Sequence, residues 1–499
     1  MSRISRQISL PFIRIDRRDA RPVYEQLYEG MREAILNGRL QPNDRLPATR
    51  LIAEELGVSR NIVVIAFEQL LMEGYIRSKA GAGSFVEAMD AIPPAPRAGR
   101  RPLPGRRVEG EFVRRLNEVV LQRNIDREET APFQTSQPAF DAFPFAVWSK
   151  LAARVYRYLD FQHLGYEDAA GALPLREAIA DHLRVNRGVE CDASRILIVN
   201  GTQQALFLAA QLLLQPGDQF WIDDPGYVNA RFTFLLHGGV ACPIPVTGEG
   251  TDIDYACQRY PNARLAYLTP SHQHPVGGTL PLAQRLKLLA WARDRRLWII
   301  EDDYDSELRY RGKPIPALQG LDAHGNVIYI GTFSKVLFPA LRVAYMVLPD
   351  QAVFQSFRSL KALNDRQSAI VDQLILTDFI KEGYFHRHLR KMRSIYSARL
   401  QCLLEELETH LSEYLSFTDP AAGMHLAVYF KRPVDEDRLL QAAADKGLIL
   451  LSLREYTIGA CRRPGILLGY SSFPEDKIRQ AVRTLKSIFS SLHPLPKIS

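Results

Sequence analysis

The sequence predicts a two-unit protein: a small helical unit closed by a β-hairpin, then a large α/β unit built on a mostly parallel sheet. Three observations predict it. Residues 91–115 hold five prolines, three glycines and seven arginines against two glutamates, which breaks the apolar periodicity as a linker does. Ahead of this stretch, residues 1–90 carry apolar residues at helical spacing. Behind it, residues 130–499 alternate short β-rich apolar runs with amphipathic segments, the pattern of a sheet covered on both faces. Residues 91–129 are therefore read as the connection between the two units.

The bulk numbers exclude several classes. A chain of 499 residues with 46% hydrophobic content exceeds one ordinary domain. A net charge of +7 permits an anionic partner without requiring one. Five cysteines (Cys191, Cys242, Cys257, Cys402, Cys461) are an odd number with no C-x-x-C pair, which argues against a disulfide framework or a zinc cluster. A reducing cytoplasm fits that usage. Arg3 and Arg6 are not followed by the apolar run of a secretory leader. No window approaches the roughly 18 apolar residues of a spanning helix, so no membrane role is expected.

In the small unit, PVYEQLYEGMREAIL puts Val23, Leu27, Met31, Ile35 and Leu36 on one helical face. The spacing then predicts a short helix from about Thr49 to Leu56, stopped by Gly57, and a second helix opening on Ser59 as N-cap with Ile62, Ile65, Ala66 and Leu70 inward. Two helices joined by a tight Gly-containing turn make a helix-turn-helix. YIRSKAGAGSFV follows as strand, Gly-rich tip and strand, which is a wing. Over residues 20–88 this resembles the GntR-type winged helix-turn-helix. The resemblance implies that Arg50, then Ser59, Arg60 and Asn61 at the start of the recognition helix, and Gly81 at the wing tip face a double-stranded DNA operator. The chemistry agrees, because a helix N-terminus offers N–H groups to phosphate and arginine reads guanine edges. Residues 1–90 carry 13 Lys and Arg against 12 Asp and Glu, so placement matters more than total charge. The linker arginines are read first as a solvated connection, with further phosphate contacts as the alternative.

In the large unit the β-rich runs are ILIVN, DQFWID, VACPIPV, RLAYLTP, LWIIEDD, NVIYIGTF and VAYMVLP. Parallel sheets bind ligands beyond their strand carboxyl ends, and the polar motifs are concentrated there. GTQQAL opens a helix with Gly201, Thr202 and Gln203, whose free N–H groups and hydroxyl suit a phosphate. DPGY places Tyr227 in a turn. EDDYDSE puts carboxylates at the mouth of a buried strand, where they need a partner such as a protonated ring nitrogen. A calcium loop fits poorly, since Leu308 stands where that loop needs glycine and Pro314 where it needs its bidentate glutamate; no metal is expected. Finally GTFSKVLFPALR offers the Lys335 amine for a Schiff base, with Thr332 and Arg342 for a phosphate. An aldehyde, a ring nitrogen needing a carboxylate and a phosphate together describe pyridoxal 5'-phosphate, PLP.

YEDAAGALPLREAIADHL, GTQQAL, DDPGY, TPSHQHPVGG, IIEDDYDSE, GTFSKVLFPALR and GILLGYSS occur in that order. With them this half resembles the fold-type I PLP-dependent aminotransferases over about residues 130–490, and both halves together look like the MocR subfamily of GntR regulators. The resemblance implies a mostly parallel sheet with a smaller C-terminal α+β subdomain. It implies that Lys335 holds PLP as an internal aldimine, that Asp302 pairs with the pyridine nitrogen, and that Tyr304 approaches the ring hydroxyl. Gly201, Thr202, Gln203, Thr332 and Arg342 would hold the phosphate, with Tyr227 near the ring. Asp302 is preferred to Asp303 because strand alternation sends neighbours to opposite faces and the subfamily that the chain resembles has the spacing Asp-x-Tyr, one residue shorter than in the aminotransferases. His274 stands where the aminotransferases have asparagine, and Asn229 where an aminobutyrate-sensing relative has arginine, so aminobutyrate is not the default effector. Arg454 in LSLREYT is the candidate for an effector carboxylate, which arginine's fork matches. Fold-type I sites form between two subunits, so a homodimer is implied.

Three functions compete at this point. The first is a transcription regulator in which PLP, alone or joined to an amino compound, shifts the relation between the DNA-reading units. The second is a working aminotransferase that also binds DNA. The third is a large unit that only dimerises the reader.

Overall fold

The computed structural model describes residues 10, 13, 15–79, 81–88, 110–120, 131–312 and 315–492. They divide into two compact units, one up to Arg107 and one from Val108. The linker residues 91–109 and 121–129, with their arginines, and Pro314 lie outside the described residues. No helix of the described residues is long and apolar enough to cross a membrane.

The small unit contains α1 (Val23–Leu36), α2 (Thr49–Leu56), α3 (Arg60–Met72), β1 (Ile76–Lys79) and β2 (Gly83–Val86). Gly57 ends α2 in the left-handed region at φ 62°, where glycine carries no Cβ penalty. Ser59 is the residue before α3, but its side chain makes no capping hydrogen bond. The strands pair antiparallel, Ile76 with Val86 and Lys79 with Gly83, giving the expected wing. Two inward assignments are corrected. Val63, Ala66, Phe67 and Leu70 form the buried face of α3, and Ile65 is exposed. In α1, Leu27, Met31 and Ile35 are buried while Leu36 is exposed. In each case a neighbour one helical step away continues the stripe that packs into the unit's core, so the period of 3.6 selects it.

The large unit opens with α4 (Glu111–Val120), α5 (Phe145–Arg157) and α6 (Leu173–Arg187). Its main sheet holds β3 (Ile196–Val199), β4 (Gln219–Asp224), β5 (Val240–Thr247), β6 (Gly250–Thr251), β7 (Leu265–Leu268), β8 (Trp298–Asp303), β9 (Val327–Thr332) and β10 (Ala344–Val347). The order is β3-β10-β9-β8-β7-β4-β5-β6. Strands β5, β4, β7, β8 and β9 run parallel. Strand β10 is antiparallel to both neighbours, because the segment from Thr332 to Ala344 reverses the chain directly. A parallel return needs a crossover, normally with a helix. That reversing segment is the one that carries Lys335.

Alternation along each strand feeds two apolar layers. In β8, Ile299 packs in one cluster with Ile253 and Leu288, and Ile300 in the other with Leu206 and Phe357. Between β3 and β4 lies α7 (Thr202–Leu213), and after β4 comes α8 (Val228–Leu236). Helix α4 lies against α8, with the Phe112 ring edge-on to His237 at 6.3 Å. A second sheet of β11 (Leu415–Phe417), β12 (His425–Phe430), β13 (Leu451–Ser452) and β14 (Gly465–Gly469), in the order β11-β12-β14-β13, forms the C-terminal α+β part. It is covered by the long helix Tyr384–Leu411 and the last helix, Glu475–Leu492.

Candidate functional site

A cavity of about 880 Å³ opens where the parallel strands end. Gly201, Thr202, Gln203, Tyr227, Asn229, His274, Asp302, Tyr304, Thr332, Lys335, Arg342 and Arg454 all line it. Every large-unit residue assigned to the cofactor or effector from the sequence is therefore brought to one place.

One end is an anion cradle. Gly201 precedes α7 at φ 113°, and a Cβ there would stand 2.7 Å from Arg342 Nη2. Only glycine lets the guanidinium approach the helix N-terminus so closely. Arg342 Nη2 donates to the Asn200 carbonyl at 2.5 Å, and the Thr332 hydroxyl accepts from the Ser334 amide at 3.1 Å. Gln203 Nε2 donates to Thr233 Oγ1 at 2.6 Å, which ties α7 to α8. A helix N-terminus, two hydroxyls and an arginine converge as a phosphate group requires.

The opposite end is a carboxylate. Asp302 is 4% exposed. Its Oδ2 accepts from the Tyr267 hydroxyl at 2.6 Å, while its Oδ1 is buried with no partner. Burial pushes its carboxyl up to about 7, as an isolated buried carboxylate must be. Asp303 points to the other face, taking the Tyr329 hydroxyl at 2.7 Å and Arg187 at 2.8 Å. Asp303 and Asp305 each have an orphaned oxygen as well, but of the three only Asp302 lines the cavity. A protonated ring nitrogen is the partner that such an oxygen lacks. The residues present fit PLP: Lys335 would offer the amine for its aldehyde, Asp302 the acceptor for its ring nitrogen, and the cradle a seat for its phosphate.

Between these ends, Lys335 Nζ lies 3.4 Å from the Ser136 carbonyl. Burial holds its ammonium down at about 8, against the pull of Asp305 and Asp302, so a reactive free amine is accessible near neutral pH. The Tyr227 ring stands 6.1 Å from Tyr267 at an interplanar angle of 27°, and its hydroxyl accepts from Asn229 Nδ2 at 3.1 Å. His274 packs edge-on to Tyr227 and Tyr304 at 5.5 and 5.6 Å. Burial holds its imidazolium well below the ordinary range, so it meets the cavity as a neutral ring. Arg454 is about half exposed and forms an ion pair with Asp437 at 2.6 Å.

Sequence reading missed Tyr267, Ser136, Ser334 and Arg231, all of which line the cavity. Two of them had a signal. Tyr267 lies in β7 opposite Ile300 of β8, so strand pairing sets it beside Asp302. Arg231 follows Tyr227 by one helical turn, donates from Nη1 to the Thr457 carbonyl at 3.0 Å, and forms no ion pair among the described residues. The carboxylates that resembled a calcium loop are separated by their partners, Asp303 with Arg187, Asp305 with His272 at 2.8 Å, and Glu307 near His182. In the small unit, Arg50, Ser59, Arg60, Asn61 and Gly81 are all exposed, with Arg50 in an i,i+4 ion pair to Glu54. Arg45, exposed beside the wing at Gly83, joins them.

Comparison with known proteins places both halves. The model for aminotransferase class I and II matches residues 133–485, and that for the gntR family of bacterial regulatory proteins matches residues 23–86. The chain is 37% identical over 480 residues to the probable rhizopine catabolism regulatory protein MocR of Rhizobium meliloti, covering 96% of each chain. It is 29% identical to the pyridoxine biosynthesis transcriptional regulator PdxR of Corynebacterium glutamicum, over 93% of this chain and 95% of that one. Among solved structures, the kynurenine aminotransferase of Pyrococcus horikoshii superposes with a TM-score of 0.68 and 26% identity, over 77% of this chain and 95% of that one. The chain belongs to the MocR subfamily of GntR-type transcription regulators, which join a winged helix-turn-helix to a fold-type I aminotransferase-like domain.

Proposed function

We propose that the protein is a PLP-dependent, DNA-binding transcription regulator of the cytoplasm, acting as a homodimer, whose aminotransferase-like domain senses PLP or an amino compound. The observation that carries this reading is the meeting, in one cavity, of the Lys335 amine, the unpartnered Asp302 oxygen and the Gly201–Arg342 cradle. Bound PLP supplies an aldehyde that captures amines. The protein's residues do the rest: the cradle holds the phosphate, Asp302 fixes the ring nitrogen, and His274 and Tyr227 bound the ring. An amino compound entering the cavity would meet Asn229, Arg231 and Arg454, which line it together with Lys335. Support comes also from a relative whose name concerns pyridoxine biosynthesis and from the aminotransferase neighbour solved with a pyridoxamine cofactor and kynurenine.

The test is a screen of amines against the visible absorbance of the PLP-loaded protein, followed by operator binding with each hit. The expected result is at least one amine that changes both. Steady turnover of an amino donor with a keto acceptor, and no effect on operator binding, establishes instead an aminotransferase that also binds DNA.

The reader is tested separately. Arg60 opens α3 and is exposed. Arg60→Ala is expected to weaken operator binding by about 1 to 3 kcal/mol and to relax base preference, with the PLP absorbance intact. Unchanged binding in a fluorescence-anisotropy titration places the recognition surface elsewhere.

A further inference from the structure

Behind the cofactor cavity lies a buried pair that holding PLP does not by itself require. His272, in the loop after β7, is 4% exposed. Its Nδ1 stands 2.8 Å from Asp305 Oδ2 and 3.0 Å from the Tyr304 hydroxyl. The ring is fixed by close packing, since a Cβ on Gly423 would stand 2.3 Å from its Cε1. It also borders a second cavity, of about 540 Å³, so the imidazole is a wall between two spaces.

One ring nitrogen cannot both give a proton to a carboxylate and take one from a phenol. The buried carboxylate is the stronger acceptor and, being charged, makes the stronger bond. The proton therefore resides on Nδ1, and the Tyr304 oxygen faces an N–H. A phenol oxygen that accepts there turns its own hydrogen away from His272, toward the cavity that Tyr304 lines. Burial raises the Tyr304 phenol well above its usual range, so that hydrogen is retained.

We propose that Asp305 and His272 form a positioning relay that aims the Tyr304 hydroxyl hydrogen at the ring oxygen of the bound cofactor. The relay rests on the reading of the Lys335 cavity as a PLP site. Other charged and titratable groups face it: Asp302 and Lys335 from the cavity, Asp303 from the end of β8, Arg309 from the segment after Asp305, His274 from the same loop, His425 from β12, and Tyr310 and Tyr470. All eight remain in place when His272 is changed, so a difference between variants reports the relay itself.

The test uses the full-length PLP-loaded protein and the pH midpoint of its visible absorbance. An oriented donor stabilises the ring oxygen's negative charge and weakens the hold of the Lys335 nitrogen on its proton. His272→Phe is expected to raise the midpoint by about one pH unit. His272→Asn, whose side-chain amide reaches the place of Nδ1, restores at least half of the shift. Tyr304→Phe raises the midpoint itself, and adding His272→Phe to it changes nothing further, because residues in one chain of hydrogen bonds are coupled. His272→Leu, smaller than phenylalanine and equally without a ring N–H, gives the same upward shift even where phenylalanine is not accommodated beside Gly423. A His272→Phe or His272→Leu midpoint equal to that of the unsubstituted protein overturns the relay, as does a His272→Phe shift that persists undiminished beside Tyr304→Phe. Absence of any visible band from the unsubstituted protein overturns the PLP reading, and the relay with it.

Discussion

Lys335→Ala is expected to abolish the visible band of the covalently linked cofactor and the label left at this position by borohydride reduction. The loss is complete because the covalent link is made by one atom. Of the cations that line the cavity, Arg231, Arg342 and Arg454 carry guanidinium groups, which stay protonated and form no such link. The phosphate cradle and Asp302 are untouched, so the variant is expected still to bind PLP, without the link and with the absorbance of the free aldehyde only. Burial places the Lys335 amine at about 8, well below an exposed lysine. Attachment of PLP to the apoprotein therefore accelerates about tenfold per pH unit on the acid side and levels off above about pH 8. Peptide mapping that finds the reduced label on another lysine, or a variant that keeps its band, removes the basis of the PLP reading.

The distribution of what the sequence disclosed follows the physics. Strands of the main sheet are legible because buried parallel strands are continuous apolar runs, and all seven runs named from the sequence are strands. The anion cradle is legible because its parts are local: Gly201 must precede a helix, and Arg342 must follow a direct reversal of the chain. Asp302 is legible from alternation only together with the subfamily's Asp-x-Tyr spacing; alternation sends Asp303 to the other face, where Arg187 meets it. The relay is not, because His272 and Asp305 are 33 residues apart and nothing local ties them. Tyr267 and Arg231 needed strand pairing and helical spacing to be applied outward from residues already chosen. The inward face of α3 shows the same limit. Its stripe is apolar on nearly every side over RNIVVIAF, so composition does not separate Val63 and Phe67 from Ile65. The packing against α1 does. Arg454 illustrates another: its position at the cavity is a matter of sequence, but its ion pair with Asp437 depends on how a helix of the C-terminal part lies.

Asp302→Asn is expected to move stability and cofactor affinity in opposite directions. The carboxyl stands at about 7 in the folded protein without cofactor, raised mainly by burial. A group whose folded value is raised favours the folded state fully below its unfolded value, near 4, and that contribution is lost as pH rises through about 7. The apoprotein therefore carries an uncompensated buried charge at pH 8, at a cost on the order of 2 to 4 kcal/mol. Asparagine carries none, so the apo variant melts higher than the apoprotein at pH 8 and matches it near pH 4. Asp223, also pushed up to about 7 by burial, gives both proteins the same residual slope, and the difference between them isolates residue 302. With PLP present the order reverses. The ring nitrogen's positive charge would compensate the native carboxylate, whereas an amide offers it only a neutral acceptor, and affinity is expected to fall about 30- to 1000-fold. Paired thermal melts across pH 4 to 8, with and without PLP, read both effects at once. An apo variant that is less stable than the native apoprotein at pH 8, or one that binds PLP equally well, shows that the orphaned Oδ1 does not await a cation.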